Sequence, residues 1–180
     1  MKRKEFIKTV CAAGACSCAA PLLFARDPAT SLPGSDEAEE LKGKLDFVSL
    51  RMAKLVSALD EPTRVRVLET MGRECARQFT GLTDKYKGDP KGFLEEIKKQ
   101  WASEASYDEK AGLVRVVDRA KGCSCPFVKP GVTPPEFCYC TLGWQKEAYS
   151  AILGKPVEVE LISSILRGDS RCEYRIRVKI

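Results

Sequence analysis

The C-terminal stretch constrains this chain most. Val157, Val159 and Leu161 alternate with Glu158 and Glu160, and Cys172, Tyr174, Ile176 and Val178 alternate with Glu173, Arg175, Arg177 and Lys179. A period of two puts one set on an apolar face and the other on a wet face of a sheet. Gly168-Asp169 reads as a two-residue turn between the runs. That turn makes Leu161 face Ile176 on the core side and Glu160 face Arg177 on the wet side, with Cys172 opposite Ile165. The chain therefore closes on an antiparallel hairpin.

Upstream the period changes to that of helices. Ser35 can cap a helix with an acidic first turn (Asp36, Glu37, Glu39, Glu40). Its apolar positions Leu41, Leu45, Val48, Met52, Leu55 and Leu59 recur in steps of four and three, which predicts one buried stripe. A second helix starts at Asp60 with Pro62 in its first turn, and its stripe of Val65, Leu68, Gly72, Cys75 and Phe79 places Cys75 on the inner face. A third follows Asp89-Pro90 and presents Phe93, Leu94, Ile97 and Trp101. Leu113 to Arg119 is β-branched and reads as a strand. Gly122 to Phe137 is an irregular loop with four prolines (Pro126, Pro130, Pro134, Pro135), and a helix from about Tyr139 to Leu153 ends at Gly154 and Pro156. Helices first and a sheet last predict an α+β fold: N-terminal helices packed on a small antiparallel sheet that ends in the hairpin.

The N-terminus reads as an export leader over residues 1–25. Lys2-Arg3-Lys4 precedes a small, moderately apolar run to Ala25, too short and too proline-interrupted for a spanning helix. Arg3-Lys4-Glu5-Phe6-Ile7-Lys8 resembles a twin-arginine motif with lysine as the second basic residue. Ala20 or Ala25 suits a cleavage point. Ala13-Gly14-Ala15-Cys16 resembles a lipobox, with a lipid on Cys16 as its consequence. Residues 26–35, with two prolines, form a tether, and residues 36–180 form one domain. The chain is thus expected to be periplasmic or held at a membrane by its leader or a lipid.

The net charge of +5 over 180 residues is modest and sits partly in the leader (Lys2, Arg3, Lys4, Lys8). No basic block tracks a phosphate backbone, which argues against nucleic acid as a partner. The chain has no histidine. Ser–His and Cys–His catalytic pairs and histidine metal ligands are thereby excluded.

Six cysteines follow the leader: Cys75, Cys123, Cys125, Cys138, Cys140 and Cys172. Four of them form two Cys-x-Cys pairs on either side of the proline-rich loop. Two such knuckles can offer four soft ligands to one tetrahedral ion, zinc or an iron–sulfur cluster, with Cys75 or Cys172 as an alternative member. Cys138 and Cys140 open a helix, whose positive end is expected to lower their pKa. An even count in an exported chain equally suits three disulfides. Reactive thiols are the third reading.

Gly122-Cys123-Ser124-Cys125-Pro126, Phe137-Cys138-Tyr139-Cys140-Thr141-Leu142-Gly143-Trp144, Leu153-Gly154-Lys155-Pro156-Val157, Ser163-Ser164-Ile165 and Gly168-Asp169-Ser170-Arg171-Cys172-Glu173-Tyr174-Arg175-Ile176 together resemble the C-terminal part of the 4-vinyl reductase-like small-molecule-binding domains. Gly72-Arg73-Glu74-Cys75-Ala76 resembles the helical cysteine segment that accompanies the pattern. The closing Gly-Asp-x-x-Cys is similar to that of the L-2-amino-thiazoline-4-carboxylic acid hydrolase-like group. The first resemblance implies helices on an antiparallel sheet and a non-catalytic role in binding a small hydrophobic or metal-associated ligand, with Tyr139 and Trp144 as candidate contacts. The second implies a hydrolase in which Cys138 or Cys140 attacks and Glu136 or Glu147 handles protons. A disulfide-stapled interaction domain is the remaining alternative.

Overall fold

The computed structural model describes residues 35–78, 80–119, 122, 123, 125 and 127–179. The leader with Cys16, the tether before Ser35 and the expected stripe member Phe79 lie outside them. The elements run α1 (Ser35–Ala58), α2 (Glu61–Arg77), α3 (Thr80–Lys85), α4 (Pro90–Gln100), β1 (Ala102–Asp108), β2 (Leu113–Asp118), α5 (Cys138–Leu153), β3 (Val157–Ser163) and β4 (Glu173–Val178). Short 3-10 turns occupy Pro135–Phe137 and Ile165–Arg167. The fold is α+β, with a four-stranded antiparallel sheet in the order β1-β2-β4-β3.

Local chemistry sets the helix ends. The Asp60 side chain accepts from the Thr63 amide at 3.0 Å and caps α2, and Asp89 accepts from Gly92 at 2.9 Å and caps α4. Gly154 ends α5 in the left-handed conformation, with φ of 65°. Arg64 ties α1 to α2: its guanidinium donates to the Val56 and Leu59 carbonyls at 2.9 and 2.7 Å and to Glu136 at 3.0 Å. Otherwise orphaned carbonyls at the C-terminal end of α1 are thus satisfied.

The inner sheet face carries Val114, Val116, Tyr174 and Ile176, which pack with Phe93, Leu94 and Ile97 of α4 and Tyr149 and Ile152 of α5. Phe93 meets the Tyr149 ring edge-on at 5.5 Å. On the wet face Arg115 donates through Nε to Glu173 at 2.8 Å and through a terminal nitrogen to Glu104 at 2.6 Å, spanning β1, β2 and β4. Both outer strands carry a register irregularity, β1 between Ala102 and Glu104 and β3 between Leu161 and Ser163. Strand β1 (Ala-Ser-Glu-Ala-Ser-Tyr-Asp) lacks the alternation that marks the others, and α3 is too short to show a stripe.

The C-terminal hairpin forms, but two residues out of the expected register. Glu160 faces Arg175, Val159 faces Ile176 and Leu161 faces Tyr174. A two-residue slip leaves every side chain on its expected face, so alternation alone cannot detect it. The connection is not the Gly168-Asp169 turn but runs from Ser164 to Cys172 through the 3-10 turn. Asp169 Oδ2 accepts from the Ser164 amide at 2.7 Å, and Ser164 Oγ accepts from Leu166 at 3.2 Å. Gly168 there has a φ of 96°, which favours glycine. Cys172 lies just before β4, and Ile165 lies in the turn instead of opposite it.

Two further expectations change. The stripe of α1 is not its buried face: Leu41, Leu45, Val48 and Leu55 are exposed, and the helix instead buries Ser49, Ala53 and Val56. The small Ser49 and Ala53 side chains let α1 lie close to the domain while Val56 inserts between Leu68 and Phe137. Cys75 is exposed, because α2 turns Leu68, Gly72 and Ala76 inward.

Helices α2 and α5 meet at two glycines. A Cβ on Gly72 would lie 1.8 Å from the Cys140 carbonyl oxygen, and one on Gly143 would lie 2.1 Å from that of Glu69. Both nearest atoms are backbone, so neither can swing aside. Gly143→Ala is expected to destabilise the domain by about 3 kcal/mol or more, measured by denaturant unfolding. Gly81→Ala in α3, where nothing lies within 4 Å, serves as the neutral control.

Candidate functional site

The glycine crossing seats the start of α5 against α2, and the 3-10 turn Pro135–Phe137, anchored by buried Phe137, delivers the chain into that helix. Cys138 and Cys140 therefore project from a first turn that is fixed on two sides. Cys123 and Cys125 approach from the stretch that leaves β2. At its root the Asp118 amide donates to the Cys172 carbonyl at 3.0 Å and the Arg119 amide to that of Trp101 at 2.8 Å.

Five thiols, those of Cys123, Cys125, Cys138, Cys140 and Cys172, line one small chamber of about 30 Å³, closed by Phe137, Ser164 and Tyr174. Cys75 stands outside it, yet near enough for its charge to act on Cys125 and Cys140. All six are free thiols, with none of the bridges an even count allows. Among the described residues no three Cys, Asp or Glu side chains stand in an arrangement that holds a metal ion as they are.

Burial dominates the chemistry of these sulfurs. It pushes the Cys123, Cys125 and Cys138 thiols up, and that of Cys140 up to about 12. The expected lowering by the helix end does not occur: removing a thiolate from water outweighs the dipole, and neighbouring sulfurs add like charge. Countering terms are local. The Cys125 amide favours the Cys123 thiolate, and the amides of Phe127 and Val128 favour that of Cys125. Buried Ser164 places its hydroxyl 2.9 Å from the Cys138 sulfur.

A second pocket of about 280 Å³ opens beside the chamber and shares Cys123, Cys125, Thr141, Cys172 and Tyr174 with it; Gln100, Trp101, Asp118 and Arg119 are among the rest of its wall. Arg119 is fixed there by the carbonyls of Lys98 and Ala102. Desolvation raises the Asp118 carboxyl to about 6. Tyr149, fully buried, keeps a hydroxyl with no hydrogen-bond partner among the described residues, and the Asp118 charge adds to burial in raising it. Sequence reasoning missed Asp118 and Arg119, because an acid closing a strand looks like an ordinary solvated position, and it met Ser164 only as part of a matching motif, with no role of its own.

Tyr139 and Trp144 do not line either cavity. Tyr139 is partly buried between the two apolar clusters, and Trp144 packs edge-on against Trp101 at 6.1 Å. Glu136 is paired with Arg64 at 3.0 Å, and Glu147 with Arg77 at 2.8 Å.

The profile of DUF6144, a family of unknown function, matches residues 25–180. The chain belongs to that family. No curated protein matches it. A trafficking protein particle complex subunit 3 from Naegleria fowleri, covalently bound to palmitic acid, is similar in structure at a TM-score of 0.54 and 18% identity, covering 82% of this chain and 98% of that one. The phenol-responsive sensory domain of the transcription activator PoxR with phenol gives 0.48 and 13%, covering 76% and 73%. A vinyl-4-reductase family protein from Methanocaldococcus jannaschii gives 0.38 and 11%, covering 78% and 95%. The first likeness supports the α+β architecture of this DUF6144 member.

A raised carboxyl has a signed consequence for stability. Folded Asp118 holds its proton to about pH 6, whereas its ordinary value is 3.8. The folded state thus loses stability as pH rises from about 4 through 6. In a dry site this difference corresponds to about 3 kcal/mol, and partial exposure of Asp118 reduces it to about 1. Asp118→Asn is expected to stabilise the reduced, metal-free protein by about 1 kcal/mol at pH 7.5 and to match the unsubstituted chain near pH 4, measured by urea unfolding across pH.

Proposed function

We propose that this DUF6144 domain is an exported, non-catalytic receptor for one thiophilic metal centre, zinc or an iron–sulfur cluster, held by Cys123, Cys125, Cys138 and Cys140. The observation that carries the reading is the convergence of five sulfurs from three separate segments on a chamber of about 30 Å³. Such a volume has room for an ion or a water, not for a hydrocarbon. The donor set is soft sulfur throughout, which selects zinc or iron–sulfur over hard cations. Backbone amides directed at Cys123 and Cys125 supply what a coordinated thiolate needs from its surroundings. Binding requires the stretch carrying Cys123 and Cys125 to close on α5, because no ready-made ligand set stands among the described residues. It also requires the protons of buried thiols to leave.

The pocket of about 280 Å³ supports a second reading, a small ligand seated beside the sulfurs. It is slightly smaller than pockets that enclose drug-sized molecules, so the ligand would be compact. The trafficking-complex subunit of similar fold carries covalent palmitic acid. A hydrolase finds less support. Burial keeps the Cys138 and Cys140 thiols protonated, and Glu136 and Glu147 are engaged by arginines.

Protein purified without added metal is expected to carry about one zinc, or the iron and sulfide of one cluster, per chain by elemental analysis. Cys140→Ser should weaken binding at least about 100-fold, whereas Cys75→Ser should change it less than about threefold. Trace metal only, with every thiol titrating as free in the same sample, would overturn the reading.

A further inference from the structure

We propose that the pocket of about 280 Å³ selects a compact organic cation, a primary ammonium on a small apolar body, with Asp118 as its counter-charge. The proposal rests on the second reading above, a small ligand beside the sulfurs, and not on the metal reading. Among the described residues of the wall Asp118 is the one carboxylate and Arg119 the one cation. Although adjacent in the chain, they form no ion pair with each other. Arg119 is exposed and directs a terminal nitrogen at the carbonyls of Lys98 and Ala102. Lys98 belongs to the last turn of α4, where orphaned carbonyls and the helix dipole favour a cation. The guanidinium is therefore committed to the end of a helix.

Asp118 has no such commitment. Half-buried at the end of β2, its carboxylate makes neither a hydrogen bond nor an ion pair with any described residue. Desolvation acts on it with no cation to offset it. A carboxylate removed from water is costly to leave unpaired, so a ligand that brings positive charge supplies what the wall itself lacks. The rest of the wall decides the kind of cation. Trp101, Ile165 and Tyr174 are apolar or aromatic, and burial keeps the Cys123 and Cys125 thiols neutral. A hard metal ion takes about six or more oxygen ligands, which one carboxylate among such neighbours cannot provide. An ammonium needs one carboxylate and accepts aromatic surface for the remainder of its shell. The apolar body behind the nitrogen meets the same walls.

Ligand-detected nuclear magnetic resonance titration of the chain as isolated tests it, with benzylammonium, benzyl alcohol and benzoate as probes of one size and three charges. At about pH 7.5 and up to about 10 mM probe, the range in which molecules this small bind, benzylammonium is expected to bind at least about tenfold more tightly than benzyl alcohol. Benzoate should bind more weakly than either. Asp118→Asn removes the charge and keeps the shape. It should bring benzylammonium and benzyl alcohol within about twofold of each other while the affinity for benzyl alcohol stays unchanged. Far-ultraviolet dichroism checks that the variant, expected above to be the more stable form at this pH, is folded. Benzyl alcohol or benzoate binding as tightly as benzylammonium to the unsubstituted chain overturns the cation and leaves the small-ligand reading standing. A preference for benzylammonium that survives Asp118→Asn overturns the assignment to Asp118. Binding by none of the three probes overturns the small-ligand reading and this proposal together.

Discussion

Everything near the sulfurs depends on two helix backbones in direct contact. Where α2 crosses α5, Gly72 faces the Cys140 carbonyl and Gly143 faces that of Glu69, with no room for a side chain at either point. Close approach of this kind maximises dispersion contacts per residue and tolerates no intermediate geometry. It fixes the first turn of α5, and with it Cys138 and Cys140, against the body of the domain. The sheet contributes from the other side: β2 ends at Asp118 where the chain departs toward Cys123, and β4 begins beside Cys172. The chamber is therefore a junction of three rigid elements and one irregular stretch.

The sulfurs at that junction face opposed requirements. Burial makes the thiolate costly, which keeps the four interior thiols protonated and chemically quiet. Backbone amides and the Ser164 hydroxyl lower that cost without removing it. A bound cation of the kind proposed would reverse the balance, because it replaces several thiol protons at once.

Much of this was legible in the sequence. Capping residues, proline positions and apolar periodicity locate α2, α4, α5, β2, β3 and β4, because each is a local property of the chain. The strand β1 escaped because an outer strand rich in serine and glutamate buries little and so carries little pattern. Hairpin register escaped for a different reason: period-two alternation is blind to a slip of two, and the deciding contact, Asp169 to the Ser164 amide, is a turn bond between polar residues. Periodicity placed Cys75 on the inner face of α2, but the two-glycine crossing rotates that face toward Gly72 and Ala76. Cysteine spacing indicated that the two Cys-x-Cys pairs share a neighbourhood, yet the depression of thiol pKa expected from the helix end required knowing how much water burial removes. Nothing in the sequence singled out Asp118 or Arg119, whose surroundings are assembled by tertiary structure alone.

The outer strands carry one more consequence. Both β1 and β3 are interrupted by a register irregularity, and both turn carboxylates outward, Glu104 and Asp108 on one side and Glu158 and Glu160 on the other. A broken hydrogen-bond ladder lined by charged side chains is a poor template for another strand. Sheet-to-sheet growth into larger β-structure is thereby disfavoured at both margins.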